Sequence, residues 1–499
     1  MGGDLLAQLA AYQQAFAFLF QPYTLFVMFV GVVLSLIIGL IPGLNPLISV
    51  PLCLPFLLFI PKDIGLFFLI ALQSTSMTAG SITAILINMP GTPVNAATLI
   101  DGFPMTVKGE ANRAIGAAVM SSMIGGAVPV ALCLVMIPLI LKIVMAFRAP
   151  EMAMLVVMGL AFLAVLSGHS PIRGVCSGVL GILLATVGFD SVTGVNRFTF
   201  GSTYLFSGLD VPVVALGLFG LSEMLDMHIK GQLTITRAPI KLEGITGVVR
   251  GIKDVINYKW LWLRSTLIGY IIGMIPGIGA EVATFTAYGQ AKLTSKNPEK
   301  FGTGYVEGVI APESANNAKE AGALLTTMAF GIPGSSMMAI MMGAFLMVGI
   351  TPGPKMMIDE LPLALILLIG IAITNIVGGI ICLFSAPYLS KVINVKNDYL
   401  FPLILSIMFV GAFSMSQDMG NVLVVIIFGI IGLLMKRYHF SRPAFILGFV
   451  LGGPAETYIL RSIKIYGPLF FLSPISLVII AITIFVFIYS ILRERGRQQ

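Results

Sequence analysis

The residues of this sequence best suited to chemistry are mostly uncharged and sit beside helix breakers. Pro42-Gly43 is followed by Asn45, and Pro276-Gly277 by Glu281, Thr284 and Thr286. Ahead of Pro90-Gly91-Thr92 come Ser74, Thr75, Ser76, Thr78, Ser81, Thr83 and Asn88, while Pro333-Gly334 is flanked by Thr326, Thr327, Ser335 and Ser336. Proline removes a backbone donor and clashes with the preceding turn, and glycine admits non-helical dihedrals, so each Pro-Gly pair ends a helix. A half-helix N-terminus carries positive partial charge suited to a carboxylate, and unwound carbonyls suit a cation such as Na⁺. Hydroxyls and amides hydrogen-bond a carboxylate without the burial cost of a fixed charge. Ser, Thr and Gly also line ordinary helix–helix contacts in membranes. Any single hydroxyl here fits that packing role better; the four breaks taken together fit a ligand site.

The stretches that must position these groups are strongly apolar. Of 499 residues, 57% are hydrophobic and 10% charged, with a mean hydropathy of +1.00. A soluble globular protein carries about 25% charged residues, so the composition predicts a polytopic membrane protein. Apolar runs cover 23–41, 46–60, 64–100, 112–147, 152–166, 172–188 and 211–225, then 265–288, 324–350, 361–384, 399–415, 421–435, 443–460 and 468–492. They amount to about twelve spans of roughly 20 residues. The run 64–100 is interrupted at 89–93, and 112–147 is too long for one straight span, so Gly125-Gly126 and Pro129 predict a kink or two pieces. Residues 226–264 hold seven Lys or Arg against three acids, the bias of a cytoplasmic linker. The tail Arg493-Glu494-Arg495-Gly496-Arg497 places the C-terminus on the same side. No Lys or Arg precedes Lys62, which predicts an uncleaved N-terminus, since signal peptides open on a basic region.

The sequence also repeats itself. Ile37-Ile38-Gly39-Leu40-Ile41-Pro42-Gly43-Leu44 returns as Ile271-Ile272-Gly273-Met274-Ile275-Pro276-Gly277-Ile278, with six of eight residues identical. Ala79-Gly80 followed by Pro90-Gly91-Thr92 is matched by Ala321-Gly322 followed by Pro333-Gly334-Ser335. Two motifs recurring in one order mark a duplicated half. Paired, interrupted segments at corresponding positions of two halves point to a carrier's substrate site.

Charged groups near the breaks are few. Glu281 either sits in the membrane or caps the next half-helix. The run Ala311-Pro312-Glu313-Ser314-Ala315-Asn316-Asn317-Ala318-Lys319-Glu320 reads as a solvated loop with a helix cap, or as a gating or cation-coordinating group. Gly174 and Gly178 have the spacing of a helix-packing face. Cys53, Cys133, Cys176 and Cys382 lie in apolar runs without a C-x-x-C pair and read as buried packing residues. His169, His228 and His439 match no metal spacing, and the basic residues form no stripe suited to nucleic acid. No H-E-x-x-H, G-x-S-x-G, Walker A or Rossmann fingerprint occurs, so neither an enzyme nor an ATP-driven motor is expected.

At these motifs the chain resembles the TctA family, the large membrane subunit of tripartite tricarboxylate transporters. The resemblance rests on Gly39 to Pro46, Gly80 to Pro93, Asp101-Gly102-Phe103-Pro104 with Lys108-Gly109, and Thr193 to Gly201. Phe301-Gly302-Thr303-Gly304, Glu307-Gly308, Glu313 to Ala318, Gly331 to Ser335 and Thr351-Pro352-Gly353-Pro354 extend it. Met328-Ala329-Phe330, Met337-Met338 and Met341-Met342 depart from the pattern by their bulk and methionine content. The resemblance implies a binding-protein-dependent secondary transporter in a bacterial inner membrane, importing an organic carboxylate by alternating access coupled to Na⁺ or H⁺. It implies two partners, a small four-span subunit (TctB-like) and a periplasmic solute-binding protein (TctC-like), and no cofactor.

The expected molecule is therefore all-α, with two repeats, 20–225 and 265–460, read as inverted. A basic linker, 226–264, joins them, and 461–499 form a last span and cytoplasmic tail. Hairpin tips at 88–93 and 331–336 would meet the breaks at 42–46 and 276–280 near the midplane. The substrate residues would be Gly43, Asn45, Ser81, Asn88, Gly91, Thr92, Gly277, Gly334, Ser335 and Ser336; those for ion coupling or gating would be Glu281, Glu313, Asn316 and Asn317. A stand-alone ion-coupled carboxylate carrier and an anion channel are the alternatives, the channel sharing the hydroxyl-lined breaks.

Overall fold

A computed structural model describes residues 2–40, 45–88, 90–165, 171–190, 194–230, 244–275, 280–392 and 397–484. Its first half holds α1 (Gly2–Leu19), α2 (Pro22–Leu40), α3 (Pro46–Cys53), α4 (Lys62–Ile87), α5 (Ala96–Val107), α6 (Ala111–Ala146), α7 (Ala149–Val165), α8 (Pro171–Ala185), α9 (Val211–Ala215) and α10 (Ser222–Lys230). The second holds α11 (Ile245–Asn257), α12 (Lys259–Met274), α13 (Ala280–Thr294), α14 (Glu307–Phe330), α15 (Ser336–Met347), α16 (Pro354–Asp359), α17 (Leu361–Val392), α18 (Asn397–Ser416), α19 (Met419–Arg437) and α20 (Arg442–Tyr466). The strands among the described residues are two short ones, Gly188–Phe189 and Asn196–Arg197, paired antiparallel. The protein is all-α.

Burial follows the logic of lipid rather than water. Phe26, Phe29, Val135, Leu139, Phe384 and Val410 are exposed, a surface no soluble monomer sustains. The polar residues Gln73, Ser76, Thr78, Glu313, Asn317 and Glu320 are buried instead. Among the described residues six helices are long and apolar enough to cross a membrane: Pro22–Leu40, Lys62–Ile87, Ala111–Ala146, Leu361–Ala386, Met419–Arg437 and Arg442–Tyr466. Shorter apolar helices, among them Pro46–Phe59 and Ser336–Met347, supply the interrupted segments.

Three expectations change. Residues 111–146 form one continuous helix of 36 residues despite Pro129 and Pro138. At 1.5 Å per residue it is about 54 Å long, so it outreaches a bilayer core of about 30 Å. The polar run 311–320 is no solvated loop: it lies within α14, where every residue from Glu307 to Ala329 is buried. Cys133 and Cys382 are buried as expected, but Cys53 is half-buried and Cys176 exposed.

Close backbone contacts fix helix direction. Gly31 of α2 packs on Ala71 of α4 and Gly39 on Ala79, so α2 and α4 run parallel. Gly269 packs on Ala315 and Gly273 on Lys319, so α12 and α14 do too. Between the halves the order reverses: Gln73 meets Glu320, Thr78 meets Asn317 and Ser81 meets Glu313, so α4 and α14 cross antiparallel. Gly126 meets Asn375 and Gly379 meets Met123, so α6 and α17 are antiparallel as well. The stretch between the halves is largely helical where described. Gly251 of α11 seats against Arg113 and Ala117 at the start of α6, and Arg113 binds Asp254 at 2.7 Å. Gly178 of α8 lies against Gly448 of α20, a packing face within the chain.

Candidate functional site: two re-entrant tips and a buried polar band

Helix α4 ends at Asn88, whose backbone is left-handed (φ 56°). The chain then doubles back: Gly91 N donates to Gly80 O at 3.2 Å, and a Cβ on Gly91 would stand 2.4 Å from Gly80 Cα. Only glycine at both positions permits that approach. Thr92 and Asn95 cap the next turn, Thr92 N and Oγ1 donating to Asn95 Oδ1 at 3.2 and 2.6 Å. Asn95 Nδ2 reaches across to Met77 O (3.1 Å) and Ser81 Oγ (2.8 Å). Helix α5 therefore begins level with Met77–Ser81 and passes Ile85 at Gly102 and Thr106, running the same way as α4. The first tip is a re-entrant excursion followed by a parallel half-helix.

The second half repeats this. Gly331 caps α14 in a left-handed turn (φ 65°), and Gly334 packs on Ala323 with a Cβ position 2.8 Å from its Cα. Gly334 N lies 3.4 Å from Thr327 Oγ1, and Ser335 Oγ accepts from Met338 N at the start of α15. The residue offset between Pro90 and Pro333 relates the contacts at the tips: Gly91 on Gly80 becomes Gly334 on Ala323, and Ser76, where Gly39 seats, becomes Lys319, where Gly273 seats. Gly39 and Gly273 themselves are related by the shorter offset of the Ile-Ile-Gly repeat. The structural counterpart of Gly80 is thus Ala323, one position beyond the Ala321-Gly322 pairing read from sequence. Each tip also touches the other half: Thr284 of α13 donates to Val94 O at 3.1 Å, and α3 packs on α15.

Between the tips lies a polar band at the α4–α14 crossing. Glu313, fully buried, accepts from Thr98 of α5, from Ser122 of α6 at 2.7 Å and from Asn316 at 3.5 Å. Asn317 Nδ2 donates to Thr78 (3.0 Å) and to Asn375 of α17. Glu320 accepts from Gln73 and pairs with Lys319, all three side chains being buried. The buried oxygens Gln73 Oε1, Ser76 Oγ, Asn316 Oδ1 and Asn317 Oδ1 have no protein partner among the described residues.

The expected site residues divide accordingly. Ser81, Gly91 and Thr92 form the first tip with Asn88, which is exposed; Gly334, Ser335 and the half-buried Ser336 form the second. Asn45 spends its side chain capping α3, accepting from Leu47 N at 2.9 Å. Glu313, Asn316 and Asn317 join the band. Glu281 lies in the first turn of α13, with its side chain outside the described residues; Gly43 and Gly277 lie outside them altogether. Sequence reasoning missed Asn95, Thr98, Ser122, Gln73 and Asn375. The T-P-V-N spacing at 92–95 was a legible capping signal; the others bind partners far away in the chain.

A model of the Tripartite tricarboxylate transporter TctA family matches residues 25–447. The chain belongs to this family. A relative described as "Uncharacterized 52.8 kDa protein in TAR-I ttuC' 3'region", from Agrobacterium vitis, is 33% identical over 446 residues, 88% of this chain and 86% of its own. A second from the same organism, "Uncharacterized protein in TAR-II ttuC' 3'region", is 34% identical over 197 residues, 40% of this chain and 81% of its own. No solved structure matches. As a TctA-family member the protein is a multi-pass membrane subunit of a tripartite transporter.

Proposed function

We propose that this TctA subunit carries an organic carboxylate across a bacterial inner membrane by ion-coupled alternating access. It would be supplied by a periplasmic solute-binding protein and work with a small four-span subunit. The observation that carries this reading is the pair of re-entrant tips, built alike in two halves whose central helices cross antiparallel. We take 20–225 and 265–460 as inverted repeats, 226–264 as a cytoplasmic linker, and the C-terminus as cytoplasmic.

The anion would bind at the tips, where peptide N–H groups and the Asn88 and Ser335 side chains lie next to chain breaks. The coupling ion would bind in the polar band. Glu313 has hydroxyl and amide partners and no paired cation among the described residues. Nearby buried oxygens lack partners, a donor set suited to Na⁺ or a proton. The test is uptake of labelled di- and tricarboxylates into proteoliposomes holding both membrane subunits, with and without the binding protein. Saturable, binding-protein-dependent uptake that follows an imposed Na⁺ or H⁺ gradient and shows counterflow is expected. Glu313→Gln should keep counterflow and lose the gradient dependence. Current without saturation would favour a channel; uptake indifferent to the binding protein would favour a stand-alone carrier.

A further inference from the structure

The two ends of the transport pathway are not built alike, and the difference centres on Asp101. This residue lies on α5 and is completely buried. Its Oδ1 accepts from Gly302 N at 2.9 Å and from Gly304 N and Tyr305 N, each at 2.8 Å. Its Oδ2 accepts from the Tyr288 hydroxyl of α13 at 2.9 Å. Gly308 lies so close that a Cβ there would stand 2.1 Å from Oδ2. One carboxylate of the first half thus ties down the loop 301–305 and helix α13 of the second. Phe301 is sealed beneath, 6% exposed, with its ring 5.4 Å from Tyr288 and 5.5 Å from Tyr305.

The offset that relates the tips takes Asp101 to Ala344, Phe103 to Leu346, Pro104 to Met347 and Phe301 to Leu58. Ala344 has no carboxylate, and no clamp forms there. In its place is a cavity of about 410 Å³, lined by Leu58, Gly343, Leu346 and Met347 together with Asp210 and Met415. Leu58 is 47% exposed and Leu346 49%, against 6% for Phe301. The start of α14 lies on the side of α11, because α14 runs parallel to α6 and α11 packs on the start of α6. The clamped end therefore faces the linker side, and the open end faces the other.

We propose that Asp101 is a positioning residue that latches the linker-side gate shut. Its release and the closing of the Leu58–Leu346 cavity are two halves of one exchange. This rests on the alternating-access reading above. The carboxylate suits the role because three backbone N–H groups and one hydroxyl converge on it, and charge-assisted bonds of this kind are about twice as strong as neutral ones. The unlatched cavity end, with only apolar lining at the equivalent positions, closes and opens without such a tie.

The test needs no substrate. In a background with Cys53, Cys133, Cys176 and Cys382 replaced by Ser, single cysteines at Phe103 (F103C) and Leu346 (L346C) are labelled with a membrane-impermeant maleimide. Right-side-out and inverted vesicles report the two faces. With Asp101 intact, L346C should react readily and F103C at least about tenfold more slowly. Asp101→Ala removes all four accepted bonds and should raise the F103C rate and lower the L346C rate, each by at least roughly tenfold, a shift of about a hundredfold in the two-state balance. Asp101→Asn keeps the acceptor oxygen and should lie between, and Tyr288→Phe should shift both rates less; both remain readable should Asp101→Ala fail to insert. Rates that do not move, or that rise together as general loosening would make them, overturn the latch. A parent protein that shows the reciprocal shift on Asp101→Ala but carries no carboxylate would instead count against the transport reading and leave the latch standing.

Discussion

Replacing Asn95 tests whether the first tip is a built structure. Its amide makes four hydrogen bonds: two accepted from Thr92, at 3.2 and 2.6 Å, and two donated, to Met77 O at 3.1 Å and Ser81 Oγ at 2.8 Å. Each is worth about 0.5–1.5 kcal/mol net, and a buried donor left unpaired costs about 1–3 kcal/mol. Asn95→Leu removes all four and strands the Thr92 N–H, a loss on the order of 3–5 kcal/mol. A tip held by that margin opens, and only the closed population binds, so apparent affinity falls in proportion. Asn95→Leu should lower carboxylate uptake by at least about tenfold, with membrane insertion unchanged. Asn95→Asp is the sharper probe. It keeps the acceptor facing Thr92 but sets an oxygen against the Met77 carbonyl, so it should be as damaging as Leu although nearly isosteric. Ser81→Ala removes one bond and should cost about 1 kcal/mol. The measurements are initial uptake rate and KM in proteoliposomes and the melting temperature of the purified protein. Uptake and melting of Asn95→Asp within twofold of the parent would show that the amide does not anchor the tip.

The remaining predictions concern the same elements. Gly91→Ala should disable uptake more than Gly334→Ala, because its Cβ would stand 2.4 Å from a backbone carbon against 2.8 Å. Relief to a normal contact of about 3.5–4.0 Å moves the tip by roughly 1 Å; equal effects in uptake assays would contradict this. Lys319→Met or Glu320→Gln alone breaks a buried pair and should destabilise the protein by about 3–5 kcal/mol, whereas the neutral double variant should melt closer to the parent. Asn88→Leu and Ser335→Leu should abolish uptake without blocking insertion; Asn88→Gly tolerates the φ of 56° but lacks the amide, so it should melt like the parent and still raise the KM for uptake. Parental transport by both leucine variants would place the anion elsewhere.

The all-α membrane class, the positions of the chain breaks and the twofold repetition were fixed by local properties of the sequence. Hydropathy over a span, the donor missing from Pro90 or Pro333, and the dihedral freedom of Gly91 or Gly334 act within a few residues, so one dimension suffices to see them. Even the repeat register slipped by one position around Gly80, because small residues are interchangeable in a pattern and only a backbone contact distinguishes them. Tertiary structure alone decided which polar groups meet. Helices α4 and α14 are buried on every side, so no amphipathic face records which way Glu313, Asn317 or Gln73 points. Their partners, Thr98, Asn375 and Glu320, come from other helices, and helix direction and rotation chose them. The same holds for Asp101: its acidity and the glycines at 302 and 304 are plain in the sequence, but their union closes a loop of about 200 residues. Packing of one half against the other made that closure, at one end of the molecule and not at its counterpart.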